Sequence, residues 1–99
     1  MLCALTVREL KPGTFEQFRE AFMAGETDAP MPAGSQFFMV RNTDNPDEVI
    51  CFGLFDGTLE ELRSSDLYSG YDEQLVKITP FVEAVGTDGM YEVVEHNTA

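Results

Sequence analysis

Few residues in this chain have the types and placement for chemistry. It holds 18 acidic residues, 6 basic ones and a single histidine, a formal charge of −12. Arg8 and Arg41 therefore stand out: each lies in or at the end of an apolar segment, where a guanidinium can orient a carboxylate or phenolate, or simply pair with a local Glu or Asp. Tyr68 and Tyr71 could line a cavity with a phenol that donates a hydrogen bond, or pack in the core. Arg41 and Tyr71 are the candidate donors for catalysis. Arg8, Tyr68, Phe22, Phe52 and Phe81 are the candidates for contact with an apolar or aromatic ligand. Eight phenylalanines and no tryptophan supply an aromatic core with rings left over to wall a pocket.

Other constellations are weak. Glu95-His96 reads as a solvated pair at a fraying end before it reads as an acid–base couple. Asp44, Asp47 and Glu48 flank a turn, and turn chemistry explains them. Cys3 and Cys51 are too few and too far apart for a disulfide framework or metal site, and are expected to be reduced thiols. No phosphate-binding loop, nucleophile triad or metal-ligand spacing occurs. No cofactor is expected. The acidity disfavours nucleic acid and anionic membrane surfaces, and no window reaches the ~18–20 apolar residues of a membrane span. The N-terminal apolar run lacks a basic leader, so a cytoplasmic location is expected.

The elements that must position these residues follow from hydrophobic period. At 99 residues and 43% hydrophobic, the chain is expected to form one domain, residues 1–99. Cys3–Leu10 alternates as a strand. Thr14 and Gln17 form a capping-box pattern for a helix ending near Gly25, with Phe15, Phe18, Phe22 and Met23 on one stripe. Residues 25–35, rich in Pro and Gly, read as a loop in which Met31 could act as a plug. Gln36–Arg41 and Glu48–Phe55 form a hairpin around Asn42–Asp47. Thr58 and Glu61 open a short helix. From Tyr71, the residues Leu75, Ile78, Val82 and Val85 mark a longer helix, broken near Ile78–Thr79 by Pro80. Gly86–Gly89 is read as a turn and Met90–His96 as the last strand.

Strand, helix, strand, strand, helices, strand is the ferredoxin-like βαββαβ order: an α+β fold with an antiparallel sheet and helices on one face. Strands one and three are expected as central, parallel neighbours, with Cys3 near Cys51. The segment Val49–Phe55 carries no polar side chain, so both its faces need cover. Helices supply one cover. A second copy of the chain, sheet against sheet, supplies the other.

The opening Val7-Arg8-Glu9-Leu10-Lys11-Pro12-Gly13 with Phe15 and Phe18, the hairpin Phe38–Glu48 leading to Leu54-Phe55-Asp56, and the closing Tyr91-Glu92-Val93-Val94 resemble the antibiotic-biosynthesis-monooxygenase-like (ABM) domains of the dimeric α/β barrel superfamily. The resemblance implies a homodimer that binds a small aromatic or apolar molecule, and cofactor-independent monooxygenase activity in which the substrate supplies the electrons. Phe55-Asp56 stands where many relatives carry Trp and an acid. Without Trp, and with His96 in the last strand, haem cleavage is not expected. The alternative is a non-catalytic ligand-binding or protein-interaction dimer.

Overall fold

The computed structural model describes residues 1–24, 34–64 and 71–98. Most of the Pro/Gly-rich loop with Met31, and Tyr68, lie outside these residues. Within them the order is β1 (Leu2–Leu10), α1 (Phe15–Ala24), β2 (Gln36–Arg41), β3 (Glu48–Phe55), α2 (Leu59–Arg63), α3 (Tyr71–Ile78), a 3-10 turn (Thr79–Phe81) and β4 (Val82–Glu92). The four strands form one sheet in the order β2-β3-β1-β4, and every neighbouring pair is antiparallel. The fold is the α+β, ferredoxin-like arrangement.

β1 and β3 are the central neighbours, but they run antiparallel and not parallel. An up–down–up helix crossover followed by a hairpin leaves strand three reversed relative to strand one. Cys51 consequently pairs across from Thr6, and Cys3 from Leu54. Alternation then sends the two thiols to opposite faces. They are free cysteines.

The helix-facing side of β1 holds Thr6, Arg8 and Leu10, all buried. Its other side holds the apolar residues Cys3, Leu5 and Val7, which are only partly covered. Across β3 the same division puts Val49, Cys51 and Gly53 inward and Ile50, Phe52 and Leu54 outward. The core joins Phe18 and Phe22 of α1 and Ile78 of α3 to Leu10, Val49 and Cys51 of the sheet. Gln74 of α3 donates its side-chain amide to the Phe22 carbonyl at 3.1 Å, tying the two helices together.

Local chemistry explains the boundaries. Thr58 caps α2, its hydroxyl accepting from the Glu61 N–H at 3.2 Å. Thr14 does not do the same for α1. Its hydroxyl donates to the Lys11 carbonyl at 2.7 Å, with the Phe81 carbonyl at 3.3 Å. Gly13 turns there with φ of 76°, a conformation that costs glycine little. Its N–H donates to the Asp47 carboxylate at 3.2 Å.

The longer helix read through Val85 ends at Ile78, as the break expected at Pro80 requires, and Val82 begins β4. The glycines 86 and 89 lie inside that strand and not in a turn before it. β1 presents a full edge of backbone donors and acceptors that must be paired. β4 meets this need along its length, skipping Gly86 where the register shifts between Val7 and Arg8. Beyond Glu92, the Val93 N–H bonds the Met1 carbonyl at 2.9 Å. His96 lies past the strand, exposed.

Phe18 has no exposed surface and lies at the junction of α1 with the sheet. Phe18→Ala should cost ~3–5 kcal/mol of stability through lost burial and a residual cavity, read as a lower urea midpoint at unchanged slope.

Candidate functional site

A buried guanidinium beside a phenyl ring marks the helix-facing side. Arg8 is 2% exposed, and strand parity sends it inward with Thr6 and Leu10. Its guanidinium carbon lies 5.9 Å from the centre of the Phe18 ring. That ring continues into a ladder: Phe18 to Phe22 at 5.8 Å, tilted, and Phe22 to Phe37 at 5.4 Å, stacked. α1 supplies the first two rings at i and i+4. β2 supplies the third because Phe37 pairs with Gly53 on the inward face. A side chain at Gly53 would place its Cβ 2.9 Å from the Phe55 ring, so the small residue leaves that ring its place.

Beside Arg8 lies Cys51. Burial pushes its thiol up to about 11, against the opposing pull of the Arg8 charge and of a hydrogen bond from Arg8. Cys3, on the other face, is raised in the same direction by its own burial. Asp88 of β4 is opposite Thr6 on this inward face.

Arg41 belongs to the same row. Both Arg8 and Arg41 pair with Val49 from opposite sides, so all three share one level of the sheet. Arg41 is exposed, and its guanidinium carbon sits 4.4 Å from the centre of the Phe15 ring. Phe15 and Phe18 are one turn apart on α1, and each carries one arginine. Guanidinium over a ring face is a favourable contact that leaves the N–H edges available.

The candidates drawn from sequence divide as follows. Arg8, Phe22 and Arg41 lie on the helix-facing side. Phe81 packs against the edge of the same core, in the turn whose carbonyl receives Lys11 N–H at 2.9 Å. Phe52 does not join them. It pairs with Leu5 and Phe38 on the outward face and stacks on Phe38 at 4.8 Å. Alternation along β3 puts it on the reverse of the sheet from Cys51, so a pocket between helices and sheet cannot include it. Tyr71 opens α3, but its side chain, like the whole of Tyr68, lies outside the described part. Sequence reasoning missed Cys51 as the neighbour of Arg8, and Phe15 and Phe18 as the rings that hold the arginines. Strand pairing alone could have found the first. Among the described residues no group of three or more His, Cys, Asp or Glu side chains could hold a metal, and no helix is long and apolar enough to cross a membrane.

The sequence matches no protein-family profile and no curated protein. Solved structures do match. A protein of Nitrosomonas europaea, provisionally designated an antibiotic biosynthesis monooxygenase, superposes with a TM-score of 0.72 at 14% identity, over 96% of this chain and 100% of that one. A protein of Chloroflexus aurantiacus with the same provisional designation gives 0.71 at 13%, over 98% and 96%. An uncharacterized NIPSNAP domain protein of Burkholderia xenovorans gives 0.62 at 11%, over the full length of both. At these identities the likeness shows the fold, and that fold is ABM-like, as the sequence resemblance implied.

The thiol makes a pH dependence testable. A Cys51 pKa above the ordinary 9.0 means that the unfolded chain ionises first as pH rises. Stability from this group is whole below pH 9 and is lost between 9 and about 11. The loss should reach about 2–3 kcal/mol at the upper end, and Cys51→Val should remove that component from urea midpoints measured across the range.

Proposed function

We propose that this chain is an ABM-like homodimer that binds a small aromatic molecule with an ionisable hydroxyl, between α1 and the sheet, and oxygenates it without a cofactor. The observation that carries the reading is Arg8, a buried cation beside the Phe18 ring. Rings suit a flat apolar ligand. A guanidinium in a low-dielectric setting favours a phenolate over the neutral phenol.

Such a phenolate can give an electron to dioxygen. The aryloxyl radical and superoxide then join at a ring carbon, and the hydroperoxide loses water to leave a quinone. One oxygen atom ends in the product and one in water, and the substrate supplies all the electrons. The chain's part is to position the ring, exclude water and hold the anion, with Arg41 and Tyr71 as hydrogen-bond donors.

The dimer half of the proposal rests on the outward face. Cys3, Leu5, Val7, Ile50, Phe52 and Leu54 are half-buried there, and Phe38 and Val40 are 41% and 40% exposed. A contiguous apolar surface of this kind favours a partner. A second copy brings the same surface, with its acids at the periphery where salt screens them. Close packing at Arg8 and Phe18 favours a second reading, a dimer that binds a ligand or another protein without chemistry.

Sedimentation equilibrium should give a dimer at micromolar concentration, and Phe38→Glu should give a folded monomer; a monomeric wild type would refute the assembly. 1-Naphthol should raise the melting temperature and be consumed with oxygen uptake. No thermal shift would remove the binding site. A shift without oxygen uptake would leave the non-catalytic reading.

A further inference from the structure

Aspartate is followed by glycine twice in the chain, at Asp56-Gly57 and Asp88-Gly89. Such a pair can cyclise, because the second residue has no side chain to hinder its amide nitrogen from reaching the neighbouring carboxyl. We propose that Asp56 is a self-modification site, where the folded protein converts aspartate to isoaspartate, and that the fold shields Asp88 from the same reaction.

The reaction needs no reagent but water. The Gly57 amide nitrogen attacks the side-chain carboxyl carbon of Asp56 in its protonated form. A carbon–nitrogen bond forms, the bond from that carbon to its hydroxyl breaks, and the hydroxyl leaves with the amide proton as water. A second water then opens the five-membered imide. Opening at the side-chain carbonyl restores aspartate. Opening at the main-chain carbonyl routes the backbone through the former side chain and frees the α-carboxylate.

Access does not distinguish the two positions, since both aspartates are exposed. The attacking nitrogen does. Asp56 and Gly57 form a bend between β3 and α2, and among the described residues the Gly57 N–H donates to no acceptor. Gly89 instead pairs with Leu5 inside β4. The Val93 N–H reaches the Met1 carbonyl at 2.9 Å, so antiparallel alternation makes Cys3–Tyr91 and Leu5–Gly89 the next hydrogen-bonded pairs. The Gly89 nitrogen is thus committed to the ladder and must be released by local opening before it can attack.

The fold also holds the reactive pair in place. Gly57 has φ of 125°, a region that favours glycine, so a bulkier residue that would slow cyclisation is disfavoured there. The Asp56 carboxylate rests beside Gly34, with Oδ2 3.1 Å from where a Cβ on that glycine would stand. Isomerisation inserts one methylene into the main chain between β3 and α2 and shortens the carboxylate's reach, which withdraws that oxygen from Gly34. The freed α-carboxylate, in an exposed bend, is the chemical group that isoaspartyl carboxyl methyltransferases methylate.

The test ages the native chain beside a sample in guanidinium chloride, at physiological temperature and neutral pH, until the denatured sample carries isoaspartate at both positions. Peptide mapping with electron-transfer fragmentation locates the product, whose mass is unchanged, and methyl uptake from S-adenosylmethionine with an isoaspartyl methyltransferase counts it. The folded protein should accumulate isoaspartate at Asp56 and form it at Asp88 about tenfold more slowly or less. Asp56→Glu, which could cyclise only to a less accessible six-membered ring, should abolish methyl uptake by the folded protein at an unchanged melting temperature. Equal rates at the two positions in the folded protein, or no isoaspartate at Asp56 when the denatured chain has formed it, overturns the inference.

Discussion

The contact of the Phe18 ring with the Arg8 guanidinium sets the terms for the rest of the molecule. β1 turns Thr6 and Arg8 inward beside Leu10 and sends Cys3, Leu5 and Val7 outward, the reverse of what a one-layer sheet on a helix pair would choose at those central positions. Charge can stay in that position only if rings and hydrogen-bonding groups surround it, since an isolated buried cation costs several kcal/mol. α1 therefore brings an aromatic stripe and not an aliphatic one. β3 brings a thiol beside the arginine, with a valine and a glycine on either side of it. The composition of the core follows from the cation that it encloses.

The outward face is the other half of the same constraint. Because Arg8 and Thr6 occupy the inside, Leu5 and Val7 must lie outside, where Ile50, Phe52, Leu54, Phe38 and Val40 extend them into one apolar surface. Among the described residues, no helix or strand covers it. The ends of that surface are different in kind. Glu9 and Glu48 stand directly opposite one another, a like-charge pair moderated by the amides of Asn45 and Asn42.

The architecture was largely legible in the residues. The hairpin Gln36–Arg41 and Glu48–Phe55 is where alternation and the Asn/Asp/Pro turn put it, and the doubly apolar β3 lies inside the sheet, paired on both sides. What local pattern could not show was pairing. Gly86 and Gly89 look like turn residues, but the open edge of β1 recruits them into β4. Thr14 and Gln17 look like a capping box, but the Thr14 hydroxyl is drawn to the carbonyls of Lys11 and Phe81. The site was half legible. Rare basic residues in strands pointed to Arg8 and Arg41. Only the antiparallel register separates Phe52 from them and brings Cys51 in, because side-chain alternation becomes a statement about faces once neighbours are known.

The placement of the two thiols on opposite faces has a consequence of its own. Cys3 sits under whatever covers the outer sheet surface, while Cys51 sits under α1. In the proposed dimer, a reagent that modifies the first would sense separation of the two copies, while one that reaches the second senses loosening of the helical layer. The polypeptide thus carries two independent witnesses, one for each side of its sheet, and if the proposed dimer forms, labelling kinetics at each would tell disassembly from unfolding without any added probe.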